Sequence, residues 1–423
     1  MPYRTRQPTA RAVKALLAIA LAATAAATAP ATASAQDQSQ APTQTGGIPP
    51  IPQPTPIQPI PAPQGTAFDG NGMWIWELPH SSGGNLDAIA ARARTAGVTT
   101  VFVKSSDGSS PWRQFNSGLI QNAHARGLRV CGWGYVYGNR PTAEARAART
   151  AIRSGADCFV IDAEAEYEGK YVSAQTYMHK LRAYAGPDYP IGLAGFPYVD
   201  YHPAFPYSVF MGDGGAQFNL PQMYWRAIGT TVDNVYAHAY TFNTPYARPI
   251  YPLGQTYGAA PKSQIIRFRE FAQSFGARGV SWWSWQATLS SGWRGLASTL
   301  SALPAAKAVL PAAATLTRGA RGDLVVWAQQ HLIAAGQPVK PTGVLDSKTK
   351  LALKSFQGLS GLPVTGAIDP ATWNALLTRP PAKIRYRSTA GPNATAAGSR
   401  TTAPPPLSAT APAVRNEIRS APK

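Results

Sequence analysis

Residues 157–166 read Asp-Cys-Phe-Val-Ile-Asp-Ala-Glu-Ala-Glu, an apolar run ending in acids at every second position. A strand alternates its faces with period two, so Asp162, Glu164 and, if the strand runs that far, Glu166 share a side. An apolar run bounded by turn signals is a buried strand. Carboxylates where such a strand surfaces are costly to desolvate unless they have a partner or a task. The plain alternative is a set of solvated loop acids, and Glu166 is read that way. Two acids are also the minimum apparatus for breaking a glycosidic bond: one protonates the leaving oxygen, the other stabilises or attacks the anomeric centre. Two residues along a strand span roughly 6.6–6.8 Å, which suits several stereochemical outcomes.

The elements that must hold these acids follow a rhythm from Gly70 onward. Strand patterns at 73–77, 98–104, 128–135, 157–164, 189–196, 218–225, 250–255 and 280–286 alternate with helical patterns at 85–96, 115–126, 141–153, 172–185, 232–241, 263–275 and 293–303. An irregular Pro/Tyr segment follows the fifth strand. Gly97, Gly127, Gly155 and Gly279 each stand where a helix ends and a strand begins. Alternation of this kind predicts a parallel sheet with helices outside. Eight units in this length predict an α/β fold of the (β/α)8 TIM-barrel type. A doubly wound open sheet is the alternative, but it wants a Gly-rich phosphate loop after its first strand, where this chain has Trp76-Glu77-Leu78-Pro79.

In such a barrel the site lies at the C-terminal ends of the strands. Those ends carry Trp74 and Trp76, Lys104, Trp133 and Tyr135, Asp162 and Glu164, Gln222 and Tyr224, Gln255, and Trp283 and Trp285. Aromatic rings around a carboxylate pair suit a sugar, whose ring has an apolar face and whose hydroxyls need polar partners. All ten side chains outside the acid pair are expected to bind substrate. Trp74/Trp76 and Trp283/Trp285 are each expected to share the inward face, with Trp282 packing outside.

Asp157-x-x-Val160-x-Asp162-x-Glu164 resembles the fourth-strand DxxDxDxE signature of family-18 chitinases, with Val160 in place of the middle acid. The shorter Asp-x-Glu is also similar to family-25 lysozymes. Gln222-Met223-Tyr224-Trp225 and the aromatic eighth strand have counterparts in the first family. The resemblance implies that Glu164 is the proton donor and that Asp162 orients a 2-acetamido group held by Gln222 and Tyr224. The implied substrate is then an N-acetylated glycan. The missing acid at Val160 removes a residue that helps tune the pair.

A second resemblance covers residues 315–378. Leu316-x-x-Gly319-x-x-Gly322, Gln329-x-x-Leu332, Gly343-Val344-Leu345-Asp346, Phe356-Gln357, Thr365-Gly366, Asp369 and Thr372-Trp373-x-x-Leu376 resemble the peptidoglycan-binding-like repeat, a small all-α three-helix module. Leu332, Ala352, Phe356 and Trp373 fall on helix faces, and Asp346 and Asp369 fall at helix caps. Peptidoglycan or a related wall glycan is the implied partner.

The remainder is organised around these two parts. Arg4, Arg6, Arg11 and Lys14 precede an Ala/Leu run and the Ala33-Ser34-Ala35 cleavage pattern, so residues 1–35 read as a secretory signal peptide. Residues 36–66 form a Pro-rich linker, 67–303 the barrel, 304–314 a second linker, and 379–423 a disordered basic tail. The expected location is outside the cell, at the wall. The net charge of +19 suits anionic wall polymers. No nucleic-acid motif accompanies it, no later run is long enough for a membrane span, and no Cys or His spacing asks for a metal or other cofactor. Cys131 and Cys158 are either one bridge between neighbouring strands or two buried thiols.

Overall fold

The computed structural model describes residues 65–301 and 311–387. Residues 1–64, expected to be a signal peptide and almost all of the first linker, residues 302–310, with most of the expected second linker, and the tail beyond residue 387 lie outside the described residues. Nine strands occur among those described: β1 Gly70–Ile75, β2 Val98–Asp107, β3 Ser110–Pro111, β4 Arg129–Val136, β5 Cys158–Ala163, β6 Ile191–Gly195, β7 Phe218–Pro221, β8 Leu253–Gln255 and β9 Gly279–Trp283. Apart from β3, which folds back antiparallel on β2, all pair in parallel in the order β7-β6-β5-β4-β2-β1-β9-β8. Parallel bridges Asn219–Ile250 and Gln222–Leu253 join β7 to the β8 side and close the ring. This is the (β/α)8 barrel expected from the alternation.

The outer helices are α1 Leu86–Thr95, α2 Ser117–His124, α3 Pro141–Arg153, α4 Tyr171–Ala185, α5 Tyr207–Phe210, α6 Trp225–Ile228, α7 Val232–Asn243, α8 Lys262–Ser274 and α9 Ser290–Ala297. Their starts are chemically marked. Asn85, Asn116 and Thr231 accept a bond from the backbone N–H three residues on, and Pro141 opens α3. The irregular segment after β6 holds one turn of 3-10 helix, Val199–Tyr201, and the four-residue α5, so one of the eight crossovers has little helix.

Period-two alternation divides the core into two shells. Met73, Ile75, Val101, Val103, Phe159 and Ile161 face the helices. Trp74, Phe102, Cys131, Trp133, Cys158 and Val160 fill the barrel interior. Cys131 and Cys158 are directly opposed on β4 and β5 and form a disulfide, which resolves the sequence alternatives in favour of the bridge. Phe68 packs on Phe102, Phe218 and Tyr251 and plugs the end of the barrel where the strands begin.

The C-terminal module contains α10 Asp323–Ala334, α11 Ser347–Leu359 and α12 Pro370–Leu376. Asp346 and Asp369 cap α11 and α12 through the N–H groups of Thr349 and Thr372. The octapeptides Thr342–Thr349 and Thr365–Thr372 are used twice in the same way. Gln329 donates to Thr342, Val344 and Thr349 and accepts from Gly343; Gln357 donates to Thr365, Ala367 and Thr372 and accepts from Gly366. That internal duplication is absent from the sequence reading.

The module does not hang on a free tether. Asp323, 1 % exposed, accepts from the hydroxyls of Tyr171, Ser208 and Tyr246 and from the Ser208 N–H at 2.6–2.8 Å. Trp327 Nε1 donates to Pro245 O at 2.7 Å. Gly322 has φ +119°, and a Cβ there would sit 2.6 Å from Pro203, so the close approach needs glycine on both counts. Two expectations are corrected here. Ala313 and Ala314, assigned to the second linker, are buried, and Ala314 bonds to Thr241 and to Trp373. Residues 379–387, assigned to a disordered tail, are placed against the barrel, with Tyr386 on the Tyr171 ring and Gln175 bonded to Ile384 and Tyr386. Enough apolar and polar partners fall within reach of this stretch to order it, despite its composition.

Candidate active site

The site is built in layers up the inside of the barrel. In register across three strands lie Phe102, Cys131 and Cys158, then Lys104, Trp133 and Val160, then Asp107, Tyr135 and Asp162. A register shift between Lys104 and Ser106 keeps both Lys104 and Asp107 level with inward residues of β4. β5 ends at Ala163, and residues 165–167 form one turn of 3-10 helix. Glu164 is therefore the junction residue, just beyond the strand.

Asp162 and Glu164 are each only 7 % exposed. Gln222 follows Pro221 at the end of β7 and is fastened by its N–H to Gly195 O and by its bridge to Leu253. Its side-chain Nε2 donates to Asp162 Oδ1 at 3.1 Å and to Glu164 Oε1 at 3.0 Å. One amide nitrogen thus holds both carboxylates. Burial, and then the charge of Glu164, push the Asp162 carboxyl well above its ordinary range, while Lys104 pulls it back down. Burial pushes Glu164 up to about 7, against the hydrogen bond from Gln222. Each carboxyl therefore keeps its proton to a higher pH than an ordinary acid, which suits proton donation.

Around the pair, Tyr135 donates to Glu166 Oε2 at 2.7 Å. Burial and the Glu164 charge push the Tyr135 hydroxyl far above the usual phenol range. Glu166 is exposed, as expected of a loop acid, yet it is tied to the site through that bond. Tyr224 lies buried at the start of α6, edge-on to the ring of Tyr257, and burial, with a smaller contribution from Glu164, pushes both phenols up. Tyr257 is a neighbour that the strand-end reading missed, because it stands two residues beyond β8. Lys104 Nζ is 2.7 Å from Asp107 Oδ2, and Tyr137 donates to the other Asp107 oxygen. Trp76, Trp112 and Trp133 surround the ammonium at 5.7, 4.6 and 5.1 Å. Trp112 reaches it from the β3 turn, which no strand-end pattern marks.

Not every expected contact residue faces the mouth. Trp74 and Trp133 are sealed, with their indole N–H groups bonded to Ser281 and to Ile75 O, so they form the floor. Trp76 and Trp283 are half-buried, with ring centroids 6.5 Å apart, and form the rim above that floor. Trp285 does not share a face with Trp283. β9 ends at Trp283, residues 285–287 turn into 3-10 helix, and Trp285 packs edge-on against Trp293 with its N–H on Ser82. Gln255 is spent on the scaffold: its Oε1 accepts from the N–H groups of Arg226 and Ala227, and its Nε2 donates to Tyr257 O. Trp282 packs outside the barrel against Phe268, as expected. Among the described residues, no group of three His, Cys, Asp or Glu side chains is arranged to hold a metal ion.

Residues 321–376 match the family described as "Putative peptidoglycan binding domain", and the C-terminal helical module is of that type. A search of curated proteins finds no match. Among solved structures, the chain is similar to the endo-1,4-beta-D-mannanase of Thermotoga petrophila RKU-1, at 10 % identity over 51 % of this chain and 88 % of that one, TM-score 0.39. It is similar to a class V chitininase of Pseudomonas fluorescens Pf-5, at 9 % identity over 54 % and 98 %, TM-score 0.43. A fungal endo-beta-N-acetylglucosaminidase of glycosyl hydrolase family 18 aligns at 13 % identity over 54 % and 95 %, TM-score 0.40. Likeness at this level says nothing about substrate.

Proposed function

We propose that the chain is a secreted, wall-associated glycoside hydrolase that cleaves an N-acetylated glycan, most simply peptidoglycan, and that its C-terminal module binds the same polymer. The observation that carries this reading is the pair Asp162 and Glu164, buried at the barrel mouth and held by the single amide of Gln222. Glu164, raised to about 7, suits the proton donor. Asp162 suits the assisting acid, since an anion there stabilises positive charge developing at the anomeric carbon. Trp76 and Trp283 offer faces for sugar rings, and Tyr135 and Tyr224 line the approach. The signal-peptide pattern, the disulfide and the basic charge support a protein that works outside the cell. The experiment is release of reducing ends from purified peptidoglycan by wild type and by Glu164→Gln. Equal release by both sinks the role of Glu164.

A second reading has one observation in its favour. Val160, in the position of an acid in the family-18 signature, is fully buried among the interior aromatic and apolar side chains. A barrel that binds glycan without cutting it would co-sediment with peptidoglycan and release nothing.

A further inference from the structure

The family-18 resemblance puts an acid at position 160, below Asp162 on the same inward face of β5. The structure has Val160 there, with no polar atom to offer. In the same layer, two strands away, stands Lys104, 5 % exposed. Its side chain rises to the layer above, because its ammonium bonds Asp107, the residue level with Tyr135 and Asp162. Three indole rings surround that ammonium and hold the chain in this pose. A cation boxed by ring faces is stabilised without a full hydration shell, so its field reaches neighbours through little water.

We propose that Lys104 is the positioning residue of the carboxylate pair: its ammonium, held in the Asp162 layer by Asp107 and three indole rings, tilts the pair toward an anion at Asp162. This deepens the hydrolase reading and rests on it for its purpose. It reassigns Lys104 from substrate contact to charge control. The titratable groups that face the pair are Lys104 and Asp107 from β2, Tyr135 from β4, Glu166 from the turn after β5, Tyr224 at the start of α6 and Tyr257 just beyond β8. Of these Lys104 alone is cationic, and it alone favours the anion at Asp162. Asp107 opposes it and offsets part of the ammonium's field, but the pull of Lys104 on the Asp162 charge exceeds the push of Asp107, whose other oxygen accepts from the Tyr137 hydroxyl. The asymmetry between the two acids follows from height in the barrel. Asp162 is on the strand, in the layer the ammonium reaches, while Glu164 lies past the strand end.

The test is site-resolved carboxyl NMR titration of the full chain, comparing wild type with Lys104→Met, Lys104→Arg and Asp107→Asn. In Lys104→Met the Asp162 midpoint should rise by about one pH unit or more. Lys104→Arg should restore the wild-type midpoint. Asp107→Asn, which frees the ammonium from its competing anion, should lower the Asp162 midpoint. An unmoved Asp162 in folded Lys104→Met overturns the proposal. If that variant does not fold, an Asp162 midpoint unmoved or raised in Asp107→Asn overturns it instead. The titration needs no turnover, so its failure is distinct from that of the hydrolase reading. Absence of glycan cleavage by wild type sinks the latter alone, and intact cleavage with an unmoved titration sinks the former alone.

Discussion

Two regions of this molecule bury carboxylates, and they treat them in opposite ways. At the module–barrel junction Asp323 receives four hydrogen bonds, from Tyr171, from the N–H and hydroxyl of Ser208, and from Tyr246. At the barrel mouth Asp162 and Glu164 together receive two, both from one nitrogen of Gln222. Burial raises all three acids above their ordinary values. Saturation therefore distinguishes them better than burial does. A carboxylate with its lone pairs filled is part of the architecture. A pair with lone pairs to spare at the open end of a barrel can take a hydroxyl, a glycosidic oxygen or a water. The contrast also explains why the module is fixed while the mouth is not filled: donors at the junction come from three separate segments of the barrel, each drawn in by the same acid.

The contrast breaks most visibly if the acids are exchanged for neutral groups. Glu164→Gln should lose about 10²–10⁴-fold in glycan cleavage, the usual worth of a general acid, while its melting temperature stays level or rises because a strained charge has gone. Asp323→Ala should do the reverse. It strands four donors at a buried junction, at about 1–3 kcal/mol for each group that finds no new partner. A total loss of about 3 kcal/mol or more is expected by denaturant titration, with the per-molecule cleavage rate of the folded fraction kept. If Asp323→Ala removes cleavage and leaves stability untouched, the division between lock and site is wrong.

Much of this was legible in the sequence, for identifiable reasons. Strand alternation with Gly-terminated helices predicts the barrel, because the pattern repeats eight times and each repeat is local. Asp162, Glu164 and Gln222 are legible because period two and strand-end position put them on one rim. The errors lie at strand ends, where β9 stops at Trp283, short of the expected 286, and where Gln255 is the last residue of β8. Trp285 leaves the inward face once β9 gives way to 3-10 helix, and Gln255 turns to cap the chain at α6. Asp323 is invisible to any local rule. It sits at the start of a helix, where an acid is unremarkable, and its partners are 77 to 152 residues away. Trp112 and Phe68 were missed for the same reason, since a turn and a pre-strand segment carry no period to read.

The disulfide between Cys131 and Cys158 belongs to the architectural side of the comparison. It lies two layers below the acids and spans 27 residues. Replacing both cysteines with Ala should cost about 3–4 kcal/mol by the loop-closure argument. The register of β4 and β5 is also set by ladder bonds and by Trp133 and Val160, so the acid pair should keep its place. The check is thermal unfolding of oxidised wild type and of the double variant, with cleavage measured well below both transitions. A variant that loses cleavage while still folded would tie the site to the bridge.

The smallest expected effect tests the comparison through protons. Asp323 is raised by burial from 3.8 to about 6, less than burial alone would give, because Ser208, Tyr171 and Tyr246 stabilise its anion. A carboxyl whose folded value lies above its unfolded one binds a proton more tightly when folded. Its stabilisation is complete below about pH 4 and is lost as pH rises through about 6, a change of about 2–3 kcal/mol across that window. Glu164, raised from 4.5 to about 7, gives a second loss of the same sign, extending to about pH 7. Denaturant midpoints at pH 4.5 and 7.5 should therefore fall with pH in wild type. Asp323→Asn should remove the part lost by pH 6, and Glu164→Gln the part that persists to 7. Only the second part should be mirrored in activity: cleavage by wild type should decline above about pH 7 as Glu164 gives up its proton, and Asp323→Asn should leave that limb where it is. A limb that moves with Asp323→Asn would mean that the junction and the mouth are coupled, and the two regions would then have to be treated as one.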